Sequence, residues 1–288
     1  MIDGALIDSH VHLWDPETFP MPWLEDAPSL RQAYDVHAYE RHVESLPIDG
    51  FVYVEVGVAP QFALLEARRA VEMGRRDARL RGVIAAAPLE FGAGARSYLE
   101  ELRALGPLIK GVRRNLQDEA DASYCLQPDF LRGVHLLADF GFSFDICIRH
   151  FQMPAVIEMA RRCPEVRFIL DHLGKPAIER HELDPWREHL QQLAACPNVW
   201  CKLSGLVTEA QIQTWQPVQL KAYVDHALSV FGSSRLMFGS DWPVMLQSST
   251  YARWAETLDA LIADLPPPSQ REIWSEAARS CYRLEAGS

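Results

Sequence analysis

Residues 5–13 read ALIDSHVHL, an apolar run of strand length that closes on His10-Val11-His12. Side chains two apart on a strand point the same way, so the two imidazoles are expected to share a face. Seven further runs of this kind follow, at 50–57, 81–89, 109–116, 142–148, 166–174, 198–205 and 235–243, each bounded by Gly, Pro or polar residues. Between most of them lie stretches of helical periodicity. Segment 61–79 sets Phe62, Leu65, Ala70 and Met73 among charges, and 129–140 puts Phe130, Val134 and Leu137 on one face. Segments 216–231 and 251–265 behave alike, and Pro128 and Pro154 stand where first turns tolerate proline.

Strands alternating with helices predict a parallel sheet covered by helices. Eight such units favour closure into a (β/α)8 TIM barrel, which needs roughly 250 residues. The 288-residue chain is accordingly expected to be a single domain, residues 1–288, with an elaboration. That elaboration is an irregular Pro- and Trp-containing insertion at about 13–41, which follows strand 1 and so would lie over the barrel mouth. A last helix near 269–282 is expected to close the outer ring. No G-x-G-x-x-G follows the first strand, which weakens a dinucleotide-binding alternative.

A formal net charge of −11 argues against nucleic acid or an anionic membrane as partner, because both require a Lys/Arg footprint. No apolar run is long enough to span a bilayer. The N-terminal segment lacks the basic and apolar regions of a secretory leader, so a cytoplasmic location is expected. The six cysteines form no C-x-x-C pair and read as reduced residues rather than a zinc cage or disulfide frame.

A barrel of this kind carries its chemistry at the C-terminal strand ends. His10 and His12 fall there on strand 1, His172 on strand 6 and Asp241 on strand 8. Each has a plainer reading. H-x-H is common on surfaces, His172 could be a hydrogen-bonded core histidine, and Asp241 could cap the following helix. Their joint placement on one face favours a site. Such a set can hold a divalent cation or hydrogen-bond a reacting carbonyl. Arg113 and Arg114 end strand 4, and only one of the two neighbours should enter the mouth. An arginine there could grip hydroxyls, a ring oxygen or a carboxylate, or pair with Glu55 or Asp145. Glu55 could equally bind sugar hydroxyls or a metal, or be that arginine's partner. Trp14, Trp23 and Trp242 should surround the mouth, where aromatic faces can cover a sugar ring. For Trp23, packing is the preferred reading. Lys202 and Ser204 read as solvated or network residues.

IDSHVHLW (7–14), DHLGKP (171–176) and RLMFGSDWP (235–243) resemble the amidohydrolase superfamily. GVRRNLQDEAD, CKLSGLVTEA and RLMFGSDWPV resemble, more narrowly, its branch of sugar lactonases, and the matching segments run from strand 1 to strand 8. The resemblance implies a hydrolase that opens a sugar-acid lactone. Asp241 would be general base, His172 would polarise the carbonyl or steer water, and His10 and His12 would stabilise the developing oxyanion. It selects Arg113 over Arg114 as the pocket arginine; Glu55, His150, Trp14 and Trp242 are further candidates for substrate contact by their position at the mouth. Members with two metals use a carboxylated lysine on strand 4 and a histidine ending strand 5. Here the distal strand-4 positions are arginines, Lys110 lies at the wrong end, and His150 stands just beyond strand 5 as a substitute. No essential cofactor is therefore expected, with a single Zn2+ on His10, His12 and Asp241 as the alternative. The expected partner is a small sugar lactone, and the expected assembly a monomer or homodimer. A zinc-dependent amidohydrolase or decarboxylase of the same superfamily is the competing reading.

Overall fold

The fold follows from eight apolar runs that all become parallel strands, seen here in a computed structural model that describes residues 5–212 and 214–285. They are β1 (Leu6–Val11), β2 (Ile48–Val54), β3 (Leu80–Ala86), β4 (Ile109–Arg113), β5 (Ser143–Ile146), β6 (Phe168–Leu170), β7 (Val199–Leu203) and β8 (Leu236–Phe238), paired in that order. The helices are α1 (Val36–Val43), α2 (Ala63–Arg76), α3 (Arg96–Ala104), α4 (Pro128–Phe140), α5 (Met153–Arg162), α6 (Trp186–Ala194), α7 (Leu206–Glu209), α8 (Pro217–Phe231), α9 (Tyr251–Leu261), α10 (Pro267–Arg271) and α11 (Ala277–Tyr282). Buried on both faces along most of their length, the strands are mainly apolar rather than alternating, with a few buried charges set among them. Local chemistry sets the helix ends. Asp35 accepts from the Ala38 amide at 2.7 Å to start α1, Thr250 caps α9, and Gly141 at φ 66° stops α4. Among the described residues no helix is long and apolar enough to cross a membrane.

The ring is nearly closed, and its seam is unlike its other joints. β8 meets β1 through one bridge, Val11 with Trp242, rather than a ladder. The His12 amide donates to Trp242 O at 2.8 Å and the Asp241 amide to His10 O at 3.0 Å. Below them the Ser240 amide donates to Asp8 Oδ1 at 2.8 Å, and Ser9 Oγ to Phe238 O at 2.6 Å. β1 also carries a bulge: Asp8 pairs with Phe51 and Val11 with Tyr53, so β1 spends one more residue than β2. The extra residue re-aims the side chains. Ile7 packs inside the barrel, and Asp8 turns out to the hydroxyls of Tyr39 on α1 and Tyr251 on α9. His10 and His12 turn back to the mouth.

Two expectations change. The apolar runs are longer than the strands because their last residues bend into the mouth; in the eighth, Asp241 takes φ 62° and a cis peptide precedes Pro243. The C-terminal segment joins the outer layer only in part, through Ile273 and Trp274, the latter against Phe238. After α10 and a π turn at Glu272–Glu276, α11 runs beneath the barrel, where Ala277, Ala278, Cys281 and Tyr282 pack on the inward-facing Ile7, Val52, Ile84 and Met237. Small residues at 277 and 278 admit the helix to the narrow end. Helical periodicity shows that a face is apolar, not which end of a barrel it plugs.

Candidate active site

At the C-terminal end of the strands the bulge brings His10 Nε2 to 3.1 Å from His12 Nε2. Asp241 Oδ1 lies 3.6 Å from His10 Nε2, 3.5 Å from His12 Nε2 and 4.0 Å from His172 Nε2. The structure thus brings together the four residues that sequence reasoning placed at this end. Two sit on backbone that only local constraint sustains, His172 at φ 55° and Asp241 at φ 62°. His172 Nδ1 lies 2.8 Å from Ser204 Oγ, and Gly205 next to it has no side chain to collide with the ring. His12 Nδ1 is 2.9 Å from Val54 O; since a carbonyl only accepts, this nitrogen carries the proton.

His12, His172 and Asp241 open on a cavity of about 220 Å3. Trp14 and Trp23, both from the strand-1 insertion, line it. Trp23 thus reaches the cavity wall as well as packing against Trp14, and its indole donates to Val56 O at 2.7 Å. Trp242 belongs elsewhere. It is fully buried behind the mouth, against Tyr34, Tyr39 and His42, and does not line the cavity. His150 is also outside: the charged groups it feels are Arg180, Glu182 and His189. It starts a short 3-10 turn just after β5, at His150–Gln152.

Arg113 lines the cavity, and Arg114 turns out to Glu90 and Glu119. The Arg113 fork is engaged by protein. Nε donates to Glu55 Oε1 at 2.6 Å, Nη2 to Glu55 O at 2.7 Å, and Nη1 stands 3.5 Å from Asp171 Oδ2. Lys110 is at the other end of the barrel, bonded to Arg283 O.

Beneath the imidazoles lies a fully buried network. Lys202 Nζ donates to Asp145 Oδ2 at 2.6 Å and to His10 Nδ1 at 3.1 Å, and is 3.0 Å from Asp171 Oδ1. Tyr282 closes it from below with a 2.6 Å bond to Asp145 Oδ2. Sequence reading offered Asp145 only as a partner for the strand-4 arginine and left Asp171 aside, though a signal existed: a charge inside each of FDI, ILD and CKL sits where a parallel strand has no exposed face. Burial would lower the Lys202 ammonium, but the Asp145 and Asp171 carboxylates hold it above its usual range. Burial also keeps His10 and His172 well below the usual imidazole range, so both are neutral. For Asp241, burial raises the carboxyl, but His172, His12 and Lys175 outweigh it and hold the group ionised.

His10 Nε2, His12 Nε2 and Asp241 Oδ1 are 3.1, 3.5 and 3.6 Å apart. Ligands about 2.0–2.1 Å from a tetrahedral zinc would be roughly 3.3 Å apart. The triangle fits one such ion. Arg113 occupies the strand-4 position where a bridging lysine would have to stand.

Behind the mouth Glu66 Oε1 accepts from Tyr53 Oη at 2.8 Å and the Val56 amide at 2.7 Å, while Oε2 has no partner. Burial, with Glu55 nearby, pushes its carboxyl up to about 8. The folded form thus holds a proton that the unfolded chain loses near 4.5, so this group's stabilisation is complete below 4.5 and lost as pH rises through 8. Glu66→Gln should melt close to the parent at pH 4.5 and several degrees above it beyond pH 8, as followed by thermal denaturation; a gap independent of pH would mean that Glu66 is ionised in the fold.

With the barrel and this site in view, the chain is an enzyme that belongs to the amidohydrolase family, whose model matches residues 7–284. It is 33% identical to an L-fucono-1,5-lactonase of Burkholderia multivorans, over 98% of this chain and 97% of that protein. A second L-fucono-1,5-lactonase, of Burkholderia ambifaria, is 32% identical over 64% of this chain and 65% of its own length. An amidohydrolase from Burkholderia multivorans, solved with bound zinc, superposes with a TM-score of 0.87 at 32% identity, over 98% of this chain and 100% of that one.

Proposed function

We propose that this enzyme opens an uncharged sugar-acid lactone, an aldonolactone of the L-fucono or L-rhamnono kind, to the free aldonic acid by attack of water on the ring carbonyl. The observation that carries the reading is an ionised Asp241 at the cavity wall, within 4.0 Å of three imidazoles, two at the end of β1 and one at the end of β6. A carboxylate so placed can take a proton from water while a neutral imidazole polarises the carbonyl. An ester expels its alkoxide readily, so the step asks little of a Lewis acid. His172 serves as the polarising or water-steering group, and His12 faces the charge that develops on the carbonyl oxygen, with His10 packed behind it at 3.1 Å.

The lactone is uncharged because the cavity's cations are already engaged. Arg113 is held by Glu55, and Lys175 Nζ donates to Gln117 Oε1 at 2.5 Å and lies 3.9 Å from Glu209. A substrate carboxylate or sulfonate would have to displace Glu55 from a buried arginine. Trp14 and Trp23 offer apolar faces suited to the C–H side of a sugar ring. The lactonase names of the relatives point the same way.

The donor triangle and the zinc-bound relative support a second reading, in which zinc held by His10, His12 and Asp241 polarises the carbonyl when bound. A pH-indicator assay across fucono-, rhamnono-, galactono-, arabinono- and xylonolactones and a carboxylated lactone, with and without chelator, separates the two. We expect turnover of one or more neutral lactones, a kcat/KM preference of about 10²-fold or more over the charged analogue, and retained activity in chelator. Turnover restricted to the charged lactone overturns the reading. Activity lost to chelator and restored by zinc establishes the second one.

A further inference from the structure

At the closed end of the barrel, away from the mouth, a cleft of about 680 Å3 opens between the start of β4, the ends of α3 and α4, and the residue after α11. Arg103, Lys110 and Arg283 line it. Among the described residues the acid on its wall is Asp139, which is already paired with Arg96. The cations of the mouth are held by carboxylates and amides of side chains, and these are not. Arg103 donates to Phe140 O and Arg283 to Gly141 O, the last carbonyls of α4, and Lys110 Nζ donates to Arg283 O at 3.2 Å. Arg167, which acts on Arg283 through space, donates to Cys281 O at the end of α11. Among the described residues no carboxylate forms an ion pair with any of these four. A helix C-terminus offers about half a negative charge, so two such ends leave roughly three of the four positive charges uncompensated. The groups feel one another. Burial, then Arg167 and Arg103, lower the Arg283 guanidinium. Burial also lowers the Lys110 ammonium, Glu285 opposes the shift and Arg283 adds to it.

We propose that this cleft binds a small anion carrying two or more negative charges, a phosphate ester or a polycarboxylate, between Arg103, Lys110 and Arg283. Capping a helix end accounts for where each head group sits. It does not account for so much positive charge gathered in one hollow of a chain whose net charge is −11. A guanidinium has five N–H donors and an ammonium three, so the bonds to carbonyls leave donors free for a ligand. Arginine forks match the paired oxygens of phosphate and carboxylate alike. A single negative charge would leave the set repelling itself, and two or three would balance it. A hollow of this volume takes a molecule of metabolite size, whereas a nucleic acid or a membrane needs an extended basic footprint. The site is separate from the mouth and does not depend on which lactone, if any, is opened: Lys110 and Arg113 stand at opposite ends of β4.

Calorimetric titration and thermal melts of the whole protein test it, with inorganic pyrophosphate and citrate as probes and sodium chloride at matched ionic strength as the control. We expect a saturating probe, at about 100 times its Kd, to raise the melting temperature by about 5 °C over the salt control. Arg103→Gln and Lys110→Gln, made separately, should each weaken binding about tenfold. Arg31→Gln removes the same charge from the strand-1 insertion and should leave the affinity unchanged. A response to pyrophosphate alone supports the site and assigns it to phosphates, and a response to citrate alone supports it and assigns it to polycarboxylates. No shift beyond the salt control with either probe overturns the proposal. So does binding that keeps its full affinity in both cleft variants, since the anion would then sit elsewhere. Either variant suffices for this comparison if the other fails to fold.

Discussion

Replacing Asp241 with asparagine is expected to lower kcat for lactone opening by about 10³-fold, inside the range for loss of a general base. The variant isolates the carboxylate, because asparagine keeps its size and suits the left-handed φ of 62° better than most residues. The Asp241 amide can still donate to His10 O at 3.0 Å, so the seam should survive and the melting temperature change little. KM should stay within a few-fold, since the lost contact matters when water is deprotonated rather than when lactone binds. Because its surroundings hold the Asp241 carboxyl below 3.8, the acid limb of kcat/KM in the parent should lie below that value, down to the pH at which the fold itself is lost. Near-normal turnover by a folded Asp241→Asn protein would remove Asp241 from the mechanism and with it the proposed function.

The second large effect is predicted for a residue with no functional group. At Gly205, φ is +64° and an added Cβ would meet His172 Cγ and Nδ1 at 2.6 Å. Gly205→Ala should cost about 1–2 kcal/mol for the left-handed backbone. It should also push the imidazole out of line with Ser204 and Asp241. A displacement of about 1 Å at a group that orients the reaction can cost about 10²-fold in rate. We therefore expect kcat to fall far more than stability does. Steady-state kinetics beside a thermal melt read both. A variant that melts lower yet turns over normally would show that His172 tolerates repositioning and that its alignment is not catalytic.

How much of this was legible in the sequence varies with the physics involved. All eight strands were, because a strand buried on both faces is a continuous apolar run. The same property blurred the strand ends: residues 171–174 and 239–243 stay buried after the backbone has left the sheet, so apolarity cannot mark the exit. His10, His12, His172 and Asp241 were placed correctly at one end because end-of-strand position is a one-dimensional fact. His150 and Trp242 were not brought to the cavity, since a turn just past a strand can send a side chain either way. The buried Lys202 network was within reach, as a charge in mid-strand has to be compensated. The bulge in β1 was not, because an extra residue shows only against the neighbouring strand. Nor was the plug formed by α11, whose apolar face would read the same beneath the barrel or beside it.

The seam between first and last strands has a consequence for how function is acquired during folding. The imidazole pair belongs to the opening strand and the carboxylate to the segment just after the closing one, and the amides on either side of that join hold both in place. A ribosome-bound chain with seven strands exposed already owns every histidine of the site yet lacks the carboxylate of Asp241, the proposed base. Catalytic competence should therefore arise in one late step, when the ends find each other, and a partly assembled molecule should be inert rather than weakly active.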